Sequence, residues 1–213
     1  MKHAQAEIIR EYGPFPDVDA AHGVSFDGRR VWFASEDRLN ALDPETGDIV
    51  GGLAVPARAG TAFDGKHLFQ IAEAVIRKID PKTGEVLGII PAPGDGGHSG
   101  LAWAEGTLWI GNRDRTIRQL DPETGAVLRT IESDRFVTGV TWVDGELWHG
   151  TWQGEASDVR RIDPETGEVL ERLDMPEGTG VSGLESDGRD RFFCGGGRSG
   201  TLRAVRRPRS PAP

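Results

Sequence analysis

With 213 residues, 37% hydrophobic and 28% charged, the chain has the size and composition of one soluble globular domain, which excludes a disordered chain. No stretch approaches the roughly 20 apolar residues that a bilayer-spanning helix needs, and a formal net charge of −9 excludes a phosphate-binding, nucleic-acid-type surface. Thirty glycines and one cysteine, Cys194, point to many tight turns and to a protein without a disulfide framework, as expected in the cytoplasm.

In chain order, Met1 to Pro14 carries no apolar core of signal-peptide length, but within it Glu7-Ile8-Ile9-Arg10-Glu11 has the pattern of a short strand. From His22 onward a unit of roughly 40 residues repeats, the length of a four-stranded propeller blade. Each unit opens on a strand-entry glycine and a short apolar run, Gly23–Phe26, Gly60–Phe63, Gly100–Trp103, Gly139–Trp142 and a degenerate copy from Gly183. A tight-turn pair follows: Asp27-Gly28, Asp64-Gly65, Glu105-Gly106, Asp144-Gly145 and Asp187-Gly188, where glycine supplies positive φ. The second run holds an aromatic at one place, Trp32, Phe69, Trp109, Trp148 and Phe193, expected to pack blade against blade. The third run ends in Asp-Pro-x-Thr-Gly at 43–47, 80–84, 121–125 and 163–167, and the fourth is Ile49–Leu53, Val86–Ile90, Val127–Ile131 or Val169–Leu173.

The fifth unit stops after Leu202–Val205 and lacks its outer strand. Glu7–Glu11 supplies it, which closes the ring and removes exposed edges. The fold class is therefore all-β, a five-bladed β-propeller of four-stranded antiparallel blades spanning residues 1–207, with a Pro-rich disordered tail over 208–213. Arg203, Arg206, Arg207 and Arg209 form a basic cluster read as a solvated strand edge and tail.

Connectivity divides the loops between two faces. The Asp-Gly and Asp-Pro-x-Thr-Gly turns share one, and their aspartates are read as turn-formers. The other carries the b–c hairpins and the connections into each innermost strand, around the mouth of the central channel. There the repeats disagree: His22, Ala59, Ser99, Thr138 and Ser182 precede the five strand-entry glycines. His22 and His98 are candidates for acid/base catalysis or for holding a divalent metal ion, with Glu36 and Glu73 as second carboxylates. Arg58, Asn112, Arg113 and Trp152 are candidate contacts to a small polar substrate, Trp152 as a lid or stacking wall on a long Thr151–Asp158 loop. His149 is expected to be packed within its blade, Cys194 lacks a basic partner in its own repeat, and Gly195-Gly-Gly-Arg198 precedes a strand and so lacks a phosphate-loop context. No nucleic-acid or membrane partner is expected.

Unit by unit, nearly the whole chain resembles the bacterial glutamine cyclotransferases, the plant-type glutaminyl cyclases. The likeness lies in Leu68-Phe69-Gln70-Ile71, Asp121–Gly125 and Arg161–Gly167. The first unit, with His22-Gly23-Val24, Val31-Trp32-Phe33 and Leu42–Gly47, is similar to the repeat of the virginiamycin B (streptogramin) lyases. The resemblance implies a five-bladed enzyme of small molecules working by proton transfer, either elimination or cyclisation, at the channel mouth. Cyclotransferases place glutamate before several strand-entry glycines, and none stands there in this chain. The lyases hold magnesium with histidines and a glutamate, and His22 matches one His-Gly strand entry. The alternative is a non-catalytic ligand-binding or scaffold propeller, built from an engineered or recently amplified repeat.

Overall fold

Each repeat folds from its turns outward. In the first, Asp27 Oδ1 accepts from the backbone N–H groups of Arg29 at 2.9 Å and Arg30 at 2.7 Å, and Gly28 takes φ +90°. That closes the a–b hairpin without help from the rest of the chain. In the Asp-Pro-x-Thr-Gly turn, Asp43 Oδ1 accepts from Glu45 N at 2.8 Å and Thr46 Oγ1 from Asp48 N at 3.2 Å. The same pattern recurs at Asp80, Asp121 and Asp163, so these aspartates are turn-formers, as expected.

A computed structural model describes residues 1–94 and 96–208; most of the expected Pro-rich tail, 209–213, lies outside the described residues. The strands form five blades, each ordered a to d from the axis outward. Blade 1 is Val24–Phe26, Val31–Ser35, Arg38–Leu42 and Ile49–Leu53, and blade 2 is Thr61–Phe63, Leu68–Ala72, Val75–Ile79 and Val86–Pro91. Blade 3 is His98–Ala104, Thr107–Asn112, Thr116–Leu120 and Val127–Glu132. Blade 4 is Phe136–Val143, Glu146–Gln153, Ala156–Ile162 and Val169–Asp174. Blade 5 is Gly183–Ser186, Arg191–Gly195, Leu202–Arg206 and, from the other end of the chain, Ile8–Tyr12. That closing strand runs antiparallel to Leu202–Arg206, from Ile8 opposite Val205 to Tyr12 opposite Leu202. Among the described residues no helix is long and apolar enough to cross a membrane.

Five hydrophobic clusters make the core, each shared by two neighbouring blades. The second-strand aromatics pack there, against the first strand of the next blade. Phe69 stacks on Trp103 at 5.3 Å and Trp109 on Trp142 at 5.9 Å, and Phe193 meets Phe26 at 5.7 Å. Between blades 4 and 5 the pattern shifts: Ser186 stands where the aromatic would be, and Trp148 instead meets Phe192 at 5.0 Å.

At the loop-face end of the axis the strand-entry glycines touch in a ring. A Cβ on Gly23 would lie 2.7 Å from Gly60 Cα, and one on Gly60 would lie 2.4 Å from the Gly100 carbonyl carbon. The series continues from Gly100 to Gly139, from Gly139 to Gly183 and from Gly183 back to Gly23. A side chain at any of the five would occupy the backbone of the next blade, which is why glycine is repeated there.

Two features depart from the sequence expectations. Lys2–Gln5 forms an extra strand that pairs in parallel with Val169–Asp174, giving blade 4 five strands. Its four side chains are exposed, so no apolar alternation announces it; backbone pairing and a His3–Asp174 contact of 2.6 Å hold it. The C-terminal basic cluster is not a solvated edge. Arg203 is 5% exposed and Arg207 4%; Arg203 pairs with Glu11 at 2.7 Å, Arg206 with Glu7 at 2.7 Å, and Arg207 with Asp144 of blade 4. Only Arg209 falls outside the described residues. These pairs fasten the closing strand. Arg203→Met should therefore lower stability by about 1–2 kcal/mol, the scale of a lost hydrogen bond to a charged group, read as a lower urea midpoint with unchanged slope.

Candidate functional site

Three of the expected site residues meet on the loop-face rim. His22 is held by its own backbone: its N–H donates to Ala34 O at 2.9 Å, and the preceding Ala21 bridges to Gly197 of blade 5. The imidazole therefore stands at the seam of blades 5 and 1. Its Nδ1 lies 3.3 Å from Ser182 Oγ and its Nε2 3.6 Å from Glu36 Oε1. Glu36 occupies the tip of the blade 1 b–c hairpin at φ +53°, and its other oxygen lies 3.2 Å from Arg58 Nε. Arg58 and Glu36 are 72% and 52% exposed, so solvent screens this pair and it adds little to stability. It does place a guanidinium and a carboxylate beside an imidazole, with a hydroxyl on the far side.

His98 belongs to a different group. It is buried in blade 3, opposite Asn112 across strands a and b, with Nδ1 2.6 Å from Asn112 Oδ1. An amide oxygen can only accept, so Nδ1 carries the hydrogen and Nε2 is left with its lone pair. That nitrogen is enclosed and has no hydrogen-bond partner among the described residues. Arg113 is exposed next to this pair, its backbone N–H bonded to Gly97 O at 2.9 Å. Glu73 is the exposed tip of the blade 2 hairpin, at φ +59°. No hydrogen bond or ion pair links it to either histidine among the described residues.

Trp152 is not on a loop. Residues 151–153 continue strand b of blade 4 and 156–158 begin strand c, so the connection is the two residues Gly154-Glu155. Trp152 stands beside Phe136, its cross-strand partner, and its Nε1 donates to Gly154 O at 2.7 Å. The expected lid is a fixed ledge of two half-exposed rings. Thr151, Ser157 and Asp158, polar enough to pass for loop composition, are buried residues of a long hairpin; Thr151 Oγ1 donates to Asp158 at 2.5 Å.

The rim does not fit a metal held by histidines and glutamate. His22 and Glu36 are the two such ligands it brings together, His98 belongs to a separate group inside blade 3, and no group of three His, Cys, Asp or Glu side chains gathers among the described residues. His149 is buried within its blade as expected, and burial, with Arg160 nearby, pushes its pKa down to about 4. Cys194 is fully buried, and burial pushes its thiol up to about 12, too high for a nucleophile.

Two residues escape the sequence reasoning in whole or part. Ser182 appears there only as a break in the repeat; its contact with His22 comes from ring closure. Glu185 does not appear at all. It sits two places after Gly183, where the other blades have Ser25, Ala62, Ala102 and Thr141, and a residue-by-residue comparison of the innermost strands would have singled it out. Burial raises its carboxyl to about 7 against the hydrogen bonds from the Thr141 hydroxyl and the Ser186 backbone N–H.

No curated protein sequence matches the chain. Among solved structures, Myxococcus xanthus glutaminyl cyclase is similar at a TM-score of 0.79 and 20% identity, over 96% of this chain and 97% of that one. The WD40 β-propeller domain of Doa1 is similar at a TM-score of 0.56 and 18% identity, over 87% of this chain and 63% of that one. At these identities the likeness is one of fold, and it is the cyclase-like five-bladed ring that the repeat predicts. The sequence profile described as outer membrane protein assembly factor BamB matches residues 72–207, and with more than half of its length matched the chain belongs to that family.

Proposed function

We propose that the propeller is a small-molecule enzyme whose loop-face rim carries proton-transfer chemistry, elimination or cyclisation. The observation that carries this reading is the array Ser182–His22–Glu36–Arg58, which spans blades 5, 1 and 2 within 3.2–3.6 Å steps. An imidazole titrates near neutral pH and can take a proton from one position and return it at another. Glu36 stands beside the imidazole Nε2, and Arg58 offers a guanidinium to a substrate carboxylate or to a developing oxyanion. In a cyclisation, His22 would remove a proton from the attacking amine and deliver it to the leaving ammonia; in an elimination, it would take the proton beside a carbonyl as the C–O bond of the ester breaks, the C–H electron pair forming a C=C bond and the carboxylate leaving. The likeness to a glutaminyl cyclase supports the first substrate class to try, peptides with N-terminal glutamine.

Ammonia release from glutaminyl dipeptides and ring opening of a cyclic depsipeptide, followed by mass spectrometry, test the reading. Turnover of either by the wild type should fall about 10²–10⁴-fold in His22→Ala, with the fold unchanged by circular dichroism. Turnover undiminished in His22→Ala, or absent on both substrates, would leave the second reading. That reading is a non-catalytic propeller presenting its loops to a partner, and it is favoured by the family's description as an assembly factor.

A further inference from the structure

Side chains alternate along a strand, so Ser25, Ala62, Ala102, Thr141 and Glu185 lie on the same side of their strands as the strand-entry glycines, next to the axis. Four are small and uncharged; the fifth is a carboxylate. Glu185 Oε1 accepts from Thr141 Oγ1 of blade 4 at 2.5 Å and from the Ser186 backbone N–H at 2.8 Å. From blade 1, Ser25 faces the same carboxylate, fully buried, and its Oγ closes no hydrogen bond of ordinary geometry. Among the described residues no lysine, arginine or histidine pairs with Glu185, although three blades enclose it. Part of its surface nevertheless stays accessible.

A carboxylate among three blades and without a basic partner is favoured by a proton or by a cation, because withdrawing its charge from most of the surrounding water without compensation is costly. An orphaned buried hydroxyl beside it is a second sign that an atom bridging the two belongs there. A cation can take oxygen donors from the carboxylate and from the hydroxyl at once.

We propose that the propeller axis holds a cation site, in which Glu185 and the hydroxyls of Ser25 and Thr141, from blades 5, 1 and 4, take a hard divalent ion of the Ca²⁺ type. The donors are all oxygen, which suits Ca²⁺ and excludes the nitrogen and sulfur preferences of transition metals. One carboxylate gives a weak site, of the order of 0.1–1 mM, the range of low-charge Ca²⁺ modules. The site is separate from the rim, and its failure would leave His22 and its array untouched.

Thermal unfolding of the full chain, stripped with chelator and then titrated with CaCl₂ to about 10 mM at a pH of about 8, tests it. The wild type should gain about 5 °C in Tm in a saturable manner, and NaCl of equal ionic strength should not reproduce the gain. Glu185→Gln, which keeps the shape, should lose the calcium-dependent gain, and Ser25→Ala should weaken it several-fold in concentration. No gain in the wild type means that the axis holds no calcium, and a gain that persists in Glu185→Gln places calcium elsewhere. Either result overturns the proposal.

Discussion

Gly183→Ala should cost at least about 3 kcal/mol, although it adds a single methyl group. The new Cβ would lie 2.3 Å from His22 O, 2.8 Å from Val24 N and 2.9 Å from Gly23 Cα. All three are backbone atoms, so no side chain can rotate to make room. Blade 5 or blade 1 would have to move outward, and either movement loosens the apolar clusters that the blade shares with its neighbours. Overpacking in closely fitted interiors is costly for this reason. Gly65→Ala is the control: Gly65 has φ +94°, and a methyl added there would meet nothing within 4 Å, so only the backbone preference opposes it, at about 1 kcal/mol. Urea unfolding of the two variants compares them directly. Equal losses would show that the five strands do not meet as closely as described.

Glu185→Gln should stabilise chelator-treated protein at a pH of about 8 by about 3 kcal/mol and have no such effect at a pH of about 4. A free glutamate loses its proton near 4.5, whereas Glu185 holds it to about 7 because burial penalises the charge. Between those values the unfolded chain releases a proton that the folded one keeps, so stability falls as pH rises; above 7 the full loss remains. His149 works in the opposite direction. It is neutral in the fold down to about 4, against 6.5 for a free imidazole, so stability falls as pH drops through that interval. The two slopes overlap between about 4.5 and 6.5 and nearly cancel. Wild-type stability should therefore be close to flat there. In Glu185→Gln it should climb with pH to about 6.5, and in His149→Gln, which borrows Gln70 from the matching place in blade 2, it should decline with pH to about 7. The turn aspartates, held below their usual range by backbone N–H donors, act only below a pH of about 4. Chemical denaturation across this range checks the three profiles, and a steep wild-type slope between 5 and 6 would contradict the cancellation.

The parts of the molecule that local chemistry determines are legible in the sequence. Asp27-Gly28 and Asp43–Gly47 close their own turns, the second-strand aromatics recur at a fixed place, and Glu7–Glu11 has the pattern of the strand that the fifth repeat lacks. Connectivity alone then places His22, Glu36 and Arg58 on one face, and they do meet. What is not legible depends on partners distant in the chain. Arg203 finds Glu11 only when the ring closes, and Lys2–Gln5 pairs through its backbone, which no side-chain pattern betrays. His98 and His22 both stand near a strand-entry glycine, one place apart in the repeat. Their fates differ because Asn112 faces His98 across its own blade, whereas Ser182 reaches His22 from the neighbouring one. Glu185 lies inside a run that otherwise looks like routine strand, and its meaning comes from the innermost strands of blades 1 and 4 meeting it.

The sharing of every core by two blades has a consequence for how such a chain can change. No repeat owns the residues that shelter it, so a blade cannot be trimmed from one end or appended to the other as in an open array. Substitutions must be answered across a blade boundary and not within a repeat. The seam of blades 4 and 5 shows such compensation: Ser186 lacks the aromatic of its strand, and Phe192 stands where the other blades have Val31, Leu68, Leu108 and Leu147. The sequence repeats by the blade, but its packing is decided at the seam.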